Sequence, residues 1–588
     1  MQFKPAVTAL VTAVALASLL SGCKKEEAAP PAQTPQVGVV TIQPQAFTLT
    51  SELPGRTTAY RIAEVRPQVN GIILKRLFKE GGDVKEGQQL YQIDPSVYDA
   101  TLKSAQASLT QTKSISDRYK QLVDEQAVSR QEYDNAKASF LQGDAEVAAA
   151  KAAFPGWAAT PVKERARLVR RLGDLIAANV SELADLETAD CGQVTNQTKR
   201  VLLPRAADNF YYFAELIQHM HGETYDSDTG HLNYTLWQPV GVCALISPWN
   251  VPFMTATWKT APCLAFGNTA VMKMSELSPL TATRLAELVL EAGIPPGVFN
   301  LVHGYGDTAG EPLVSHPDVR SISFTGSTAT GNRIVKAAGL KKFSMELGGK
   351  SPFIIFDDAD YERALDAAIF MIFSNNGERC TAGSRIIVQQ SIYDRFVADF
   401  AARAAKLTVG DPMDPNTIIG PMISKGHMDK VNYYIELGKQ EGAEVVFGGG
   451  APLVADKFKQ GFWVQPTVFA NVDNRMRIAQ EEIFGPVPCI IPFKTEEDAI
   501  RIANDTQYGL SSYLWTNNTG RAIRLAKAIE SGMTFVNSQN VRDLRQPFGG
   551  SKASGTGREG NHYSFEVFCE AKNIAVSYGS HHIPRWGV

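Results

Sequence analysis

A single cysteine, Cys380, stands in a turn that glycines flank at positions 377 and 383, directly after the apolar run of residues 368–373. A thiol becomes a strong nucleophile when its thiolate is populated and a neighbouring base or dipole assists it, and small neighbours leave room for a planar carbonyl. A carboxylate, Glu346, stands upstream in the small-residue stretch 344–352. The two residues predict a nucleophile with its base. The alternative is that Cys380 is a buried thiol acting as a small apolar side chain.

The elements that must position this pair follow from the hydrophobic pattern. After Pro239, the short apolar run of residues 240–246 predicts a buried strand, and Ser247-Pro248-Trp249-Asn250 follows at its carboxyl end. Folds of the α/β class place ligand-binding groups at this end of a strand. Strand and helix patterns then alternate to about residue 358, which predicts a parallel, doubly wound α/β sheet.

Two stretches resemble the paired active-site signatures of the NAD(P)-dependent aldehyde dehydrogenase superfamily. They are Phe373-x-x-x-Gly377-Glu378-x-Cys380 and the upstream Met345-Glu346-Leu-Gly-Gly-Lys-Ser-Pro352. The resemblance runs from about residue 151 to the C-terminus, and its motifs occur in the family order. It implies that Cys380 attacks an aldehyde, that hydride leaves to the nicotinamide, and that Glu346 activates the water that hydrolyses the thioester.

The same resemblance implies a domain organisation. A coenzyme lobe would comprise residues 151–220 and 241–348, and relative to the family pattern it lacks its opening segment. A catalytic lobe would comprise residues 349–548, and an oligomerisation arm and tail residues 221–240 and 561–588. We therefore expect a homodimer or a homotetramer.

Coenzyme-binding positions also follow from the resemblance, with NAD as the cofactor. Lys273 and Glu276 would bind the adenosine ribose hydroxyls, and a carboxylate there repels a 2′-phosphate, which favours NAD over NADP. A solvated loop pair is the alternative. A tight glycine turn before a helix start aims free N–H groups at a pyrophosphate. The remaining expected positions are Gly326, Ser327 and Gly331 in that turn, Trp249, Glu482 at the nicotinamide ribose, and Phe484 against the nicotinamide ring.

Asn250 and three arginines complete the expected site. Asn250 can donate a side-chain amide hydrogen to the oxyanion that forms when Cys380 adds to an aldehyde, or it can be a structural turn asparagine. Arg542, Arg545 and Arg379 would give the substrate tunnel cationic groups suited to carboxylates, which predicts an anionic semialdehyde. Alternatively, these arginines face outward and pair with nearby acids. Within the family, the segment most resembles dehydrogenases of dicarboxylate semialdehydes in aromatic catabolism.

The N-terminus predicts export. Residues 1–22 carry Lys4 and an apolar run from Ala6 to Leu20, which is shorter than the ~20 residues that span a bilayer and ends in small residues before Cys23. This pattern resembles a bacterial lipoprotein signal with Cys23 as the lipidated residue. A cytoplasmic N-terminal helix is the alternative. Residues 23–37 are a Pro- and Ala-rich linker.

Residues 38–150 resemble the periplasmic adaptor subunits of multidrug efflux pumps. Strand and turn signals at 38–95 match the first half of a lipoyl-like motif, and residues 96–150 predict an α-hairpin. The second half-motif and the barrel that follow in such adaptors are absent from the sequence. An unpartnered half-motif leaves strand edges and half a core exposed, so we expect this segment to be marginally stable.

Composition excludes several functions. A formal net charge of −3 gives no basic footprint for nucleic acid, and seven cysteines without a C-x-x-C pair argue against a disulfide framework or a zinc site. We expect no metal. Three hypotheses stay open: an NAD-dependent semialdehyde dehydrogenase with an unrelated extension, a truncated envelope adaptor, or a fusion with neither activity. The predicted lipid anchor, the only expected membrane contact, places the chain in the envelope, whereas NAD chemistry predicts the cytoplasm.

Overall fold

The computed structural model describes residues 38, 73–85, 87–93, 130–452, 454–579 and 581–587. The predicted signal, Cys23, the linker, most of the half-motif and the first helix of the hairpin lie outside these ranges. The chain divides into two compact units, residues 1–93 and 94–588. Within the ranges that the structure describes, each helix is too short or too polar to cross a membrane.

In the first unit, two short strands pair antiparallel: β1 (Ile73–Arg76) and β2 (Tyr91–Ile93). Between them, Gly81 and Gly87 have φ values of 75° and 78°, a left-handed backbone that glycine adopts without steric cost. These strands flank the turn that the sequence predicts.

The second unit contains all the α-helices described. In chain order they are α1 (Arg130–Ala158), α2 (Val162–Ala178), α3 (Val180–Cys191), α4 (Thr195–Gln197), α5 (Leu203–Leu216), α6 (Pro252–Ala265), α7 (Leu280–Glu291), α8 (Glu311–Ser315), α9 (Thr328–Ala338), α10 (Tyr361–Phe373), α11 (Tyr393–Ala404), α12 (Lys425–Gln440), α13 (Arg477–Gln480), α14 (Glu496–Asn504), α15 (Thr519–Ala528) and α16 (Tyr563–Phe568).

Its strands form two large sheets and two small ones. In chain order they are β3 (Thr224–Tyr225), β4 (His231–Pro239), β5 (Val242–Ser247), β6 (Thr269–Met274), β7 (Phe299–Val302), β8 (Val319–Thr325), β9 (Lys342–Glu346), β10 (Pro352–Ile355), β11 (Arg385–Gln389), β12 (Glu444–Phe447), β13 (Val468–Ala470), β14 (Cys489–Phe493), β15 (Tyr508–Gly509), β16 (Ser511–Trp515), β17 (Met533–Val536), β18 (Ser551–Lys552), β19 (Gly555–Thr556) and β20 (Cys569–Ser577).

The coenzyme lobe is built on a six-stranded sheet in the order β19-β9-β8-β5-β6-β7. Strands β5 to β9 pair in parallel, and β19 joins the edge antiparallel. Every residue of β5 and β6 is buried, as expected for a parallel sheet that helices cover on both faces. The prediction of a doubly wound sheet is confirmed.

Helix α1 crosses the position where the two sequence resemblances meet. It continues through Lys151 without a break, and Val147 and Ala150 are fully buried against the coenzyme lobe. Thr269 of β6 donates a hydrogen bond to the carbonyl of Ala150 at 2.9 Å, and Lys151 pairs with Asp318 at 2.8 Å. The stretch just before the predicted boundary at residue 150 therefore packs on the sheet that contains β6.

The catalytic lobe is a seven-stranded sheet in the order β12-β13-β14-β11-β10-β16-β17, parallel except for the β12–β13 pair. A separate three-stranded antiparallel sheet, β20-β4-β3, joins the arm and the tail. The large sheets place the carboxyl end of β5, the end of β9 and the turn after α10 together, and the site lies where they meet.

Candidate active site

Cys380 follows a turn that is held in a left-handed backbone. Helix α10 ends at Phe373, and Asn375, Asn376 and Gly377 then have φ values of 55°, 57° and 74°. A Cβ at Gly377 would lie 2.3 Å from the backbone of Gly485, so only glycine fits there. The buried end of α10 anchors this turn and thereby presents Cys380 to a cavity.

The Cys380 thiol is protonated in this environment. Burial raises its pKa to about 12, and the carboxylates of Glu482 and Glu346 add to the shift. The Arg379 guanidinium and the N–H of Thr381 oppose it. Because the thiolate is the nucleophile, the thiol must lose its proton as the reaction begins.

Asn250 lies just beyond the carboxyl end of β5, buried, and lines the same cavity as Cys380. Its Nδ2 donates a hydrogen bond to the carbonyl of Glu378 at 2.8 Å. An amide nitrogen carries two hydrogens, so one remains for an oxygen atom in the cavity. The structure thus brings two of the three predicted catalytic residues to one cavity.

Glu346 is the last residue of β9, and its side chain is buried beside Gly549 rather than on the cavity wall. Within the described part of the chain, neither carboxylate oxygen has a hydrogen-bond partner. Burial raises the pKa of Glu346 well above its usual range, and Glu559 adds to the shift. Its surroundings therefore favour the neutral carboxylic acid over the carboxylate.

A buried cation lies near Glu346. Lys259 of α6 donates to Ser323 Oγ at 2.9 Å and pairs with Glu559 at 3.3 Å, and it opposes the rise of the Glu346 pKa. Sequence reasoning missed this group because residues 259 and 559 are 300 positions apart. The one available signal is a lysine inside the mostly apolar stretch 252–265.

The substrate cavity has a volume of about 370 Å³. Arginines from three separate segments line it: Arg205 of α5, Arg379 beside the nucleophile, and Arg542 of the loop after β17. Arg205 was not predicted, since nothing local in the sequence distinguishes it from a surface arginine of an amphipathic helix. Burial lowers the pKa of Arg205, and the neighbouring Arg379 lowers it further.

Arg542 and Arg379 are held by aromatic and polar neighbours. The Arg542 guanidinium carbon lies 4.1 Å from the ring centroid of Phe548 and 5.0 Å from that of Trp258. Its Nη1 is buried and has no hydrogen-bond partner among the described residues. Arg379 donates to Ser374 Oγ at 2.5 Å. Arg542 therefore presents an unused donor, which is suited to a carboxylate.

The prediction that Arg545 lines the substrate tunnel is wrong. Its guanidinium donates to both carboxylate oxygens of Asp543, and its side chain is 76% exposed. The acid two residues before it holds the side chain at the surface, as the alternative interpretation of these arginines states. The structure does not bring Arg545 to the cavity.

A second cleft of about 380 Å³ lies at the carboxyl ends of β5, β6 and β8. Lys273 and Glu276 line it with their charged groups 3.4 Å apart, and Gly326, Ser327 and Trp249 line it too. Ser327 caps α9 by accepting a hydrogen bond from Thr330 N at 3.1 Å. Because helix N-termini bind anions, this cradle fits a dinucleotide pyrophosphate.

Gly331 has a packing role instead of lining the cleft. A Cβ there would lie 2.6 Å from a methyl group of Leu347, so the glycine lets α9 approach the segment that follows β9. The physical reason is close packing between helix and sheet, and the sequence position alone could not distinguish it from phosphate contact.

Glu482 and Phe484 lie on the catalytic lobe and contact Gly349 and Trp249 respectively. Glu482 accepts a hydrogen bond from the N–H of Gly349 at 2.8 Å, and burial raises its pKa. The Phe484 ring packs edge-on against Trp249 at 5.4 Å. His427 donates to the Phe484 carbonyl at 2.8 Å, and burial lowers the pKa of His427 to about 4, so the imidazole is neutral.

No group of histidines, cysteines and acids that could hold a metal ion occurs among the residues described. Cys191, Cys243, Cys263, Cys489 and Cys569 are buried. Cys380 is the one partly exposed thiol in that part of the chain.

Comparison with known proteins agrees with this geometry. Residues 124–574 match the aldehyde dehydrogenase family model. The chain is 65% identical over 429 residues to 5-carboxymethyl-2-hydroxymuconate semialdehyde dehydrogenase of Escherichia coli, covering 72% of this chain and 91% of the relative.

Two of the similar solved structures serve as examples. HpcC of Thermus thermophilus is 47% identical with a TM-score of 0.75, covering 76% of this chain and 88% of that one. PnpE of Pseudomonas sp. WBC-3, also solved with nicotinamide adenine dinucleotide, is 43% identical with a TM-score of 0.73, covering 75% and 91%. With a family match over most of its length, and with the cysteine, the amide and the dinucleotide cradle in place, the chain belongs to the aldehyde dehydrogenase family and is an oxidoreductase that acts on aldehydes.

Proposed function

We propose that this chain oxidises an anionic semialdehyde, 5-carboxymethyl-2-hydroxymuconate semialdehyde, to the carboxylic acid with NAD as the cofactor. The observation that carries the substrate class is the set of three half-buried arginines that line the cavity containing Cys380. Guanidinium groups gathered in a partly enclosed cavity favour anionic partners, and a dicarboxylate semialdehyde supplies them. The relative that is 65% identical carries this substrate in its name.

The chemistry of the chain's own residues begins at Cys380. The thiol gives its proton to solvent, the thiolate adds to the aldehyde carbon, and the carbonyl oxygen becomes an oxyanion that accepts the free amide hydrogen of Asn250. Bound NAD would supply the hydride acceptor that converts the thiohemiacetal into a thioester. Glu346 then takes a proton from water, which attacks the thioester and releases the acid and the thiol.

To act as this base, the Glu346 side chain must leave its buried position and reach the cavity. In the structure it is buried and outside the cavity wall, and burial raises its pKa. Lys259 and Arg542 both favour its ionised form, and Glu559 opposes it. A pKa raised toward neutrality suits a general base, because the group can then both accept and release a proton.

Lys273 and Glu276 would hold the adenosine ribose of NAD, and the N-terminus of α9 with Gly326 and Ser327 its pyrophosphate. Trp249, Glu482 and Phe484 would surround the nicotinamide half. The cleft fits NAD because buried Lys273 lies beside the Glu276 carboxylate and because the start of α9 has free N–H groups.

The experiment that tests this function measures NADH formation by the purified chain with NAD and the muconic semialdehyde. Cys380→Ala should abolish turnover, whereas Cys489→Ala, a buried thiol in the same lobe, should keep it. Turnover that survives Cys380→Ala would refute the proposal.

We also propose an oligomer and a compartment. The sheet β20-β4-β3 exposes Leu232, Leu236 and Val576, which supports its use as a homodimer or homotetramer interface, and light scattering tests this.

The NAD reaction favours the cytoplasm as the compartment of this chain. The lipoprotein signal, the lipid anchor on Cys23 and the efflux-adaptor resemblance stay predictions from sequence, and labelling with a radioactive fatty acid followed by cell fractionation tests them.

A further inference from the structure

Two side-chain amides, those of Asn375 and Gln193, converge on the backbone carbonyl of Asn250. Asn375 Nδ2 donates to the Asn250 carbonyl at 2.9 Å and to the Glu378 carbonyl at 3.1 Å. Gln193 Nε2 donates to the same Asn250 carbonyl. Asn250 Nδ2 in turn donates to the Glu378 carbonyl. The ring joins three segments that are far apart in sequence: the loop after α3, the loop after β5 and the turn after α10.

The orientation of each amide in this ring is determined by its partners. Backbone carbonyls only accept hydrogen bonds, so Asn375, Gln193 and Asn250 must each direct an NH₂ group at them. One hydrogen of Asn250 is thereby used inside the ring. The direction of that bond also sets the direction of the second hydrogen, which is the one available to the substrate.

Asn375 keeps an uncommon backbone conformation to make these bonds. Its φ and ψ are 55° and 41°, a left-handed conformation that asparagine tolerates better than most residues but that still costs free energy. It is 4% exposed, lines the substrate cavity, and its Oδ1 has no hydrogen-bond partner in the described ranges. Such strain persists where the surroundings impose it, often at functional sites.

The next residue offers an internal comparison. Asn376 has φ 57° and is fully buried, but its Oδ1 accepts from Gly420 N at 2.7 Å and its Nδ2 donates to the Pro421 carbonyl at 3.1 Å. It does not line the cavity. The same turn therefore contains two asparagines of like conformation, of which only Asn375 bonds to Asn250.

We propose that Asn375, supported by Gln193, is a positioning residue that holds the Asn250 amide toward the oxyanion formed at Cys380. The inference deepens the proposed function and rests on it. Without Asn375, the carbonyls of Asn250 and Glu378 each lose a donor, and the Asn250 amide can turn toward other partners. The expected effect is on the rate of the chemical step, with little effect on coenzyme binding.

The test compares Asn375→Gly with Asn376→Gly in the full chain. Glycine keeps the left-handed backbone in both variants and removes the amide. The rate of the first NADH turnover, measured by stopped flow at saturating aldehyde and NAD, should fall about 10- to 100-fold in Asn375→Gly and stay within about twofold in Asn376→Gly. Equal losses in the two variants would overturn the proposal.

A double-substitution cycle separates positioning from a merely structural role. In an Asn250→Ala background, Asn375→Gly should cost less than about twofold, because the amide that it positions is gone. A full loss in that background would contradict the inference. If Asn375→Gly does not fold, Gln193→Met removes the second donor to the same carbonyl, and its loss should likewise vanish with Asn250→Ala. Turnover by the unsubstituted chain tests the proposed function separately.

Discussion

Arg542→Met should remove the preference of the enzyme for an anionic aldehyde. The guanidinium packs against Phe548 and Trp258 on the cavity wall, with Nη1 buried and unpaired within the described residues. Burial lowers its pKa to about 10, so the group is still cationic at neutral pH. Methionine keeps most of the apolar contact with the two rings and removes the charge.

The magnitude follows from the bonds lost. Two charge-assisted hydrogen bonds to a substrate carboxylate at about 1.5 to 2 kcal/mol each give about 3 to 4 kcal/mol, or roughly 100- to 1000-fold in kcat/KM. The matched control is Arg545→Met, in the same loop but 76% exposed and paired with Asp543. Its kcat/KM should stay within about twofold of the parent, since surface ion pairs contribute little.

The assay is NADH formation with two aldehydes: the muconic semialdehyde and an aliphatic aldehyde of similar length without a carboxylate. Because Arg542 also favours ionisation of Glu346, its loss could slow the chemistry for every substrate. The neutral aldehyde detects this effect. Equal losses for both aldehydes, or an equal loss with Arg545→Met, would refute carboxylate recognition by Arg542.

Three further predictions concern acids. Glu346 has a raised pKa, so kcat should increase with pH as its carboxyl ionises, and Glu346→Gln should remove this increase. Burial raises the pKa of Glu187 from 4.5 to about 7, so ionisation of Glu187 destabilises the fold as pH rises between these values. Relative to the parent chain, Glu187→Gln should therefore gain up to about 3 kcal/mol in unfolding free energy at pH 8 and almost none at pH 4. Glu182→Gln, at an exposed position, is the control and should show no such gain. Glu276→Gln should raise kcat/KM for NADP about 10-fold, measured at 340 nm.

The pattern of apolar residues is sufficient to predict the strands of the coenzyme sheet. Residues 240–246 were predicted as a buried strand and β5 is Val242–Ser247, because a proline followed by an unbroken apolar run admits few alternatives. The packing of α1 could not be predicted in the same way. An alanine-rich helix has good helical propensity but little to specify its partner, and burial of Val147 and Ala150 depends on a sheet more than 90 residues later.

The arginines show what the sequence does not predict about the site, namely where each side chain lies. Arg542 and Arg545 look equivalent in sequence, yet Arg542 packs against two aromatic rings and Arg545 is held outward by Asp543. Arg205 reaches the same cavity from a helix 337 positions before Arg542. Residue type predicts the chemistry available, whereas its placement depends on long-range packing that sequence patterns do not encode.

The most direct test of covalent catalysis is the mass of the trapped acyl-enzyme. Glu346→Gln should accept one equivalent of the semialdehyde, release one equivalent of NADH and then stall, because water is no longer activated. Peptide mapping should place the acyl group on Cys380. A burst of NADH without an adduct on Cys380, or an adduct on another cysteine, would contradict the account.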